Sequence, residues 1–236
     1  MKRICICGGG SLGHVIAGWL SAKGKAEVYI LSGRPEQWTC NIDVFTPSDE
    51  ILHGTIARTS ADPADVIPGA DVVLFCYPGF MIAPALESIK QYLRPDAYVG
   101  SVFSSTGFFF EALKILESGQ PLWGFQRVPF ISRVKEYGRS ANLLGYKPCY
   151  HIAVENVSDL EKTTFADMIA DWFERPVHLL KNHYEASLTT PNGWVLNNCQ
   201  VHTYGAANSN DTFAYVPEGN KAVCMNGKTA AAGKVT

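Results

Sequence analysis

The sequence predicts a Rossmann-type α/β protein built on a doubly wound, mostly parallel sheet. Three observations predict it. A G-x-G-x-x-G pattern, Gly8-Gly9-Gly10-Ser11-Leu12-Gly13, sits between a short apolar run (Ile4, Cys5, Ile6) and a helix-like segment, the strand–turn–helix context that gives the pattern weight. From residue 1 to about 125, strand-like and helix-like stretches alternate, which implies right-handed crossovers. Residues 71–76, DVVLFC, are almost continuously apolar, as a parallel strand buried on both faces requires.

In chain order, residues 2–7 read as the first strand and 11–23 as the first helix, closed by Lys23-Gly24-Lys25. Residues 28–31 form the second strand. Residues 35–52, with Pro35, Pro47 and many polar side chains, read as irregular, and 54–58 as a short strand. Asp62-Pro63-Ala64-Asp65 starts a helix, with Asp62 as its cap. After the apolar strand, residues 80–93 read as a helix with Ala83, Leu86, Ile89 and Leu93 on one face. A strand over 98–103, a helix over 108–116 and a strand over 122–125 follow.

Residues 126–148 differ in character. Arg127, Arg133, Lys135, Arg139 and Lys147 mix with Tyr137 and Tyr146, and Gly138 and Gly145 punctuate them. The stretch reads as a β-hairpin-like excursion carrying cations near a site, or as a solvated basic loop. Residues 158–173 read as an amphipathic helix and 176–180 as one more strand. After about Asn192 no period of 2 or 3.6 is sustained. The expected organisation is a Rossmann-like domain over 1–191 and an irregular tail over 192–236, without a core of its own.

A chain of 236 residues with 47% hydrophobic content holds one large domain, or one domain and part of another. The net charge of -2 leaves no basic footprint for nucleic acid. No run of 18 apolar residues is present, so no membrane span is expected, and Gly8–Gly10 interrupt what would be a signal peptide's apolar core. The seven cysteines are scattered, with Cys5, Cys7 and Cys76 in apolar strands. That usage fits reduced core thiols in a cytoplasmic protein. No zinc-ligand spacing and no G-x-x-x-x-G-K-[ST] occurs, so neither a metal site nor P-loop chemistry is expected.

The first glycine pattern defines a candidate nucleotide site. Gly8 allows the turn out of the strand, Gly10 lets a pyrophosphate approach the backbone, and Gly13 lets helix and strand pack closely. The N–H groups of Ser11, Leu12 and Gly13, with the helix dipole behind them, suit phosphate. The alternative is a glycine-rich turn with no ligand. At the end of the second strand, Leu31-Ser32-Gly33-Arg34 offers no carboxylate for a ribose 2′-OH. Arg34 can pair with a 2′-phosphate and Ser32 can add a hydrogen bond, so the site favours NADP over NAD. Arg34 can instead stack on the adenine, which serves either coenzyme.

Tyr77, Pro78 and Phe80 follow the central apolar strand at its carboxyl end, where open α/β sheets bind ligands. Phe80 either touches the nicotinamide or ribose or is a core aromatic. Ser105 either donates to the cofactor or, with Thr106, caps the next helix. Gln126 and Arg127 follow the last strand of the alternating series, where a substrate carboxylate would meet them; Arg133 is a further candidate, and each arginine is alternatively a surface charge. His14 reads as a packing or capping residue. His178 and His183 show no partner pattern.

Several of these stretches together resemble the octopine/nopaline (opine) dehydrogenase family. They are GGGSLGHVIAG, Leu31-Ser32-Gly33-Arg34-Pro35-Glu36-Gln37-Trp38, DVVLFCYPGF and VGSVFSSTGFFFEAL. The most specific is Gln126-Arg127-Val128-Pro129-Phe130-Ile131-Ser132-Arg133, followed by Glu136-Tyr137-Gly138 and Leu144-Gly145-Tyr146-Lys147. The resemblance covers residues 2 to 191. It implies an enzyme that joins an amino acid to an α-keto acid and reduces the imine with hydride from NADP or NAD. It also implies a helical second domain, and a histidine in a motif like Asn-Pro-x-x-His just after the first domain. Leu188-Thr189-Thr190-Pro191-Asn192 approaches that motif, but Leu196 occupies the histidine's position and His202 stands in another context. No catalytic residue is therefore assigned. The loss of resemblance after about residue 190 suggests an interrupted or shifted reading frame and an incomplete enzyme. A ketopantoate reductase, a glycerol-3-phosphate dehydrogenase-like reductase and a non-catalytic nucleotide-binding module are the alternatives. The expected partners are small molecules, an amino acid and a keto acid, with self-association through an uncovered apolar face.

Overall fold

The structure is a computed structural model, and it describes residues 1–188, 213–216 and 221–224. The first unit, Met1–Ser187, carries the sheet that the alternation predicts. Its elements in order are β1 (Lys2–Cys7), α1 (Ser11–Ala22), β2 (Ala26–Leu31), β3 (Asn41–Phe45), β4 (Ile51–Thr55), β5 (Arg58–Ser60), α2 (Pro63–Val66), β6 (Val72–Phe75), α3 (Ile82–Ile89), β7 (Tyr98–Ser101), α4 (Phe108–Ile115), β8 (Leu122–Phe125), β9 (Phe130–Glu136), β10 (Ser140–Tyr146), β11 (Tyr150–Glu155), α5 (Asp159–Phe173), β12 (Val177–Leu179) and α6 (His183–Leu188). The last residue of α6 belongs to the second unit, Leu188–Thr236, where β13 (Phe213–Val216) and β14 (Lys221–Cys224) pair as an antiparallel hairpin.

Eight strands form the main sheet in the order β12-β11-β8-β7-β6-β1-β2-β5. All neighbours from β8 to β5 are parallel, and β11 turns the direction by pairing antiparallel with β8. Central strands are buried on both faces, which explains their unbroken apolar runs. Ile4 and Ile6 of β1, with Val72 and Leu74 of β6, face a core shared with α1 and α5. Cys5, Cys7, Val73 and Phe75 face the other core, with α2, α3 and α4. The layers are therefore those of a doubly wound sheet.

Residues 35–52, expected to be irregular, contain one 3-10 turn (Pro35–Gln37), all of β3 and the start of β4. The signal was present as alternation: Ile42, Val44 and Leu52 are buried while Asn41, Ile51 and His53 are exposed. The strands are short and polar on one face, and Pro47 in the turn between them masked the pattern. The expected short strand over 54–58 falls instead at the end of β4 and the start of β5. The basic stretch after Gln126 is the hairpin β9–β10, as its first reading supposed. β10 pairs parallel with β3, giving a second sheet ordered β4-β3-β10-β9.

That small sheet covers α1, which is why Gly13 through Leu20 are all buried and the helix is apolar on every side. The contact is close: a Cβ at Gly18 would overlap the Val44 side chain. On its remaining face α1 is tied to α5, since Trp19 Nε1 donates to the Trp172 carbonyl at 2.9 Å. Helix α5 fills the stretch expected to be helical over 158–173, and Ser158 and Glu161 form a capping box at its start. Among the described residues no helix is long and apolar enough to cross a membrane. The described cysteines Cys5, Cys7, Cys40, Cys76 and Cys149 are free.

Candidate nucleotide site

In the main sheet β1 leads on to β2 and β5 on one side, whereas β6 leads to β7 and β8 on the other. The carboxyl ends of β1 and β6 therefore flank the topological switch point, where crossovers diverge and leave a crevice. The glycine turn leaves β1 there. Gly8 has φ of 122°, a conformation that glycine adopts at little cost. A Cβ at Gly13 would overlap the Gly8 carbonyl oxygen, so helix and strand meet as closely as the motif requires. Among the described residues nothing lies within 4 Å of a Cβ built on Gly10, so they leave the turn open on the side where a phosphate would approach.

Helix α1 has Gly10 at its N-cap, no side-chain cap and no acidic residue in its first turn. Its leading N–H groups thus keep their capacity to bind an anion, and no carboxylate of the first turn opposes one. Leu12 packs half-buried on the core. The Ser11 hydroxyl accepts a hydrogen bond from the Val134 N–H of β9 at 3.1 Å.

His14 is fully buried one turn into α1. The Gly138 N–H donates to its Nε2 at 2.7 Å. Nε2 must then be unprotonated, and the ring proton sits on Nδ1, which donates to the Gly10 carbonyl at 2.9 Å. Burial lowers the pKa of His14, against a smaller opposite effect of the Gly10 bond. The ring is a neutral strut between the glycine turn and the β9–β10 turn, in keeping with the packing role expected for it. Trp38 stacks on it at 4.2 Å, and Tyr137 meets it edge-on at 5.0 Å.

Tyr137 and Trp38 are the residues that sequence reasoning missed. The Tyr137 hydroxyl lies against Gly9, where a Cβ would overlap it, and 3.2 Å from Ser32 Oγ. Ser32 is 2% exposed. Its oxygen accepts from Trp38 Nε1 and from the Arg34 N–H, both at 3.2 Å. Ser32 therefore shapes the turn after β2 from inside, rather than facing outward as its proposed ribose contact supposed. Arg34 is exposed, with its guanidinium 5.8 Å from the Tyr137 ring. These partners are separated by up to 124 positions, so no local spacing could have revealed them; two aromatics flanking basic turns were the only signal.

At the end of β6, Tyr77 leans on Gly8. Burial, with the neighbouring thiols Cys7, Cys5 and Cys76, raises its pKa, so it stays a neutral phenol. Burial likewise pushes the Cys76 thiol up to about 12. Pro78 opens the 3-10 turn Gly79–Met81. Phe80 in that turn is 79% exposed, which removes its reading as a core aromatic. Ser105 Oγ donates to the Ser187 carbonyl at 3.0 Å. Neither Ser105 nor Thr106 caps α4: Gly107 is its N-cap, with no side-chain bond. His183, which shows no partner pattern in the sequence, pairs through Nδ1 with Glu155 at 2.9 Å, and the His178 ring lies 5.2 Å from that of His151. Gln126 and Arg127 follow β8 and line a cavity with the start of β11; Arg133 lies on β9, with Nη1 on its neighbour's carbonyl at 2.8 Å. The expected loss of reading frame, His202 and Leu196 lie outside the described residues.

Comparison with known proteins agrees with this architecture. The family model of ketopantoate reductase PanE/ApbA matches residues 4–103. Octopine dehydrogenase of Pecten maximus is 28% identical over 160 residues, covering 61% of this chain and 40% of that protein. The solved structure of an octopine dehydrogenase with NADH and L-arginine superposes with a TM-score of 0.74 at 21% identity, covering 96% of this chain and 59% of the other. The chain is similar to the opine dehydrogenases. A yersinopine dehydrogenase with bound NADP+ shares the fold at a TM-score of 0.65 and 13% identity, over 93% of this chain and 58% of that one. The chain thus spans about two fifths of the length of the octopine dehydrogenase that it resembles in sequence.

Proposed function

We propose that the chain binds NADP or NAD across the switch point and serves an opine dehydrogenase-type reduction. The observation that carries this reading is the uncapped N-terminus of α1 behind a glycine turn that is open at Gly10. That geometry fits a pyrophosphate. Gly8, Gly10, Ser11, Leu12 and Gly13 would hold it, largely through backbone. Arg34 would meet the adenine ribose, with Ser32 and Tyr137 fixing the turn that presents it. Tyr77, Pro78 and Phe80 stand at the end of β6, and Ser105 at the end of β7, beside the path to the nicotinamide.

The solved relatives include one with NADH and one with NADP+, which supports a nicotinamide coenzyme and leaves both forms in view; Arg34 tips the balance towards NADP. The bound nicotinamide would supply hydride. Gln126 and Arg127 are proposed to face the second reactant, an amino acid and keto acid by resemblance. The domain boundary is proposed near residue 191, and catalysis would draw on residues beyond those described. The ketopantoate reductase match over residues 4–103 favours a second reading, a reductase of that kind. Coenzyme consumption by the full chain separates the readings. Turnover with an α-keto acid only when an amino acid is also present supports the first. Turnover with ketopantoate alone supports the second. Binding of coenzyme with neither turnover leaves a nucleotide-binding module.

A further inference from the structure

Along the sheet from β1, past β6 and β7, β8 ends at Phe125 and β11 begins beside it, running the opposite way. At the usual strand spacing this edge lies about 14 Å from the glycine turn. The ends of β8 and β10 and the start of β11 enclose a cavity of about 470 Å³. Among the described residues Arg127 and Lys147 both line it, and no Asp or Glu does. None of the ion pairs formed among the described residues involves either cation. Arg175 adds a third positive charge at the rim, with its guanidinium 4.1 Å from the ring of Tyr146, another wall residue. Like charges gathered in this way repel, with Arg127 exposed at the mouth of the cavity and Lys147 half-buried.

Tyr150 gives the second observation. It lines the same cavity, is 2% exposed, and its hydroxyl has no partner among the described residues. The rings of Phe125 and Phe173, at 5.6 and 5.8 Å, hold the phenol in place. Buried hydroxyls nearly always find a partner, so a fixed donor that has none among the described residues, beside two cations that form no ion pair there, is matched to an acceptor that carries negative charge.

We propose that this cavity is an oxyanion site, taking phosphate or the carboxylate of a small organic acid on Arg127 and Lys147, with a hydrogen bond from the Tyr150 hydroxyl. The site shares Arg127 with the substrate reading above but needs no bound nucleotide.

The test titrates inorganic phosphate and succinate separately into the full chain at constant ionic strength, by calorimetry and by NMR of the His151 ring. At least one anion is expected to bind saturably, one per chain, and to shift the His151 signals. Lys147→Gln and Tyr150→Phe are each expected to weaken that binding about tenfold or more. The arm that binds tighter names the source, phosphate or carboxylate. Near-UV circular dichroism of Tyr150→Phe, which keeps the ring and its packing, checks the fold. No saturable binding of either anion overturns the proposal, as does binding that both variants retain. NADPH and NADH titrations of the same preparations keep the two readings apart. Anion binding without coenzyme binding sinks the nucleotide reading alone, and coenzyme binding without anion binding sinks this one alone.

Discussion

His14 shows how one side chain can be read from its bonds. Its Nε2 accepts from Gly138 and its Nδ1 donates to Gly10, so a second ring proton would break the first bond inside a packed core. The folded pKa is lowered from the usual value of about 6.5. Above that value the ring is neutral in both states and the strut is fully formed. As pH falls through it, the unfolded chain takes up a proton that the folded one refuses, so stability is lost towards the folded pKa. His151, also lowered by burial, acts in the same sense. Denaturant melts from pH 8 to 5 are expected to show a smaller loss for His14→Gln than for the parent; equal losses would mean that His14 does not titrate against the fold. Arg34 makes the second residue-scale prediction. Exposed at the end of β2 and near the Tyr137 ring, it would form charge-assisted bonds with a 2′-phosphate that NADH lacks. Arg34→Ala should weaken NADPH about tenfold or more and leave NADH within about twofold. Equal losses for both coenzymes would instead assign Arg34 to the adenine.

Among the elements, α1 does the most organising. It joins the main sheet to the small sheet and points its N-terminus at the crevice, and its burial on every side leaves no slack. Gly18→Val would drive a branched side chain into Val44 and should cost about 1–3 kcal/mol by denaturant unfolding. An unchanged midpoint would show that β3 and β4 yield freely. The parts of the fold governed by short-range chemistry were legible in the sequence: the glycine turn, the apolar strand β6 and the Asp62 cap. The small sheet was not, because β3 is recruited by β10 nearly a hundred residues later, and a half-polar five-residue strand carries little pattern of its own. The same distance hid the site's inner wall. Gly8, Gly10 and Gly13 announce a phosphate turn, but nothing near Tyr137 announces that its hydroxyl rests on Gly9.

At the scale of the whole molecule, the carboxyl ends of β1 and β6 lead to opposite flanks, and the open turn at Gly10 lies between them. Large apolar side chains also stand outward: Phe80 at 79% exposure, Ile131 at 57% and Leu144 at 55%. Ile131 and Leu144 lie on adjoining strands of the β9–β10 hairpin, where Ile131 pairs with Gly145. Apolar surface of this kind favours association. Light scattering over a concentration series should show self-association that Ile131→Lys with Leu144→Lys reduces; a clean monomer at high concentration would contradict it. The central claim, that the amino-terminal turn grips a dinucleotide, is met most directly by calorimetric titration of NADPH and NADH in parallel, into the parent chain and into Gly13→Val. The account predicts saturable binding of one coenzyme per chain, abolished by a Cβ branch where helix and strand already touch. Failure of both coenzymes to bind the parent chain at millimolar concentration, or undiminished binding by the variant, would contradict it.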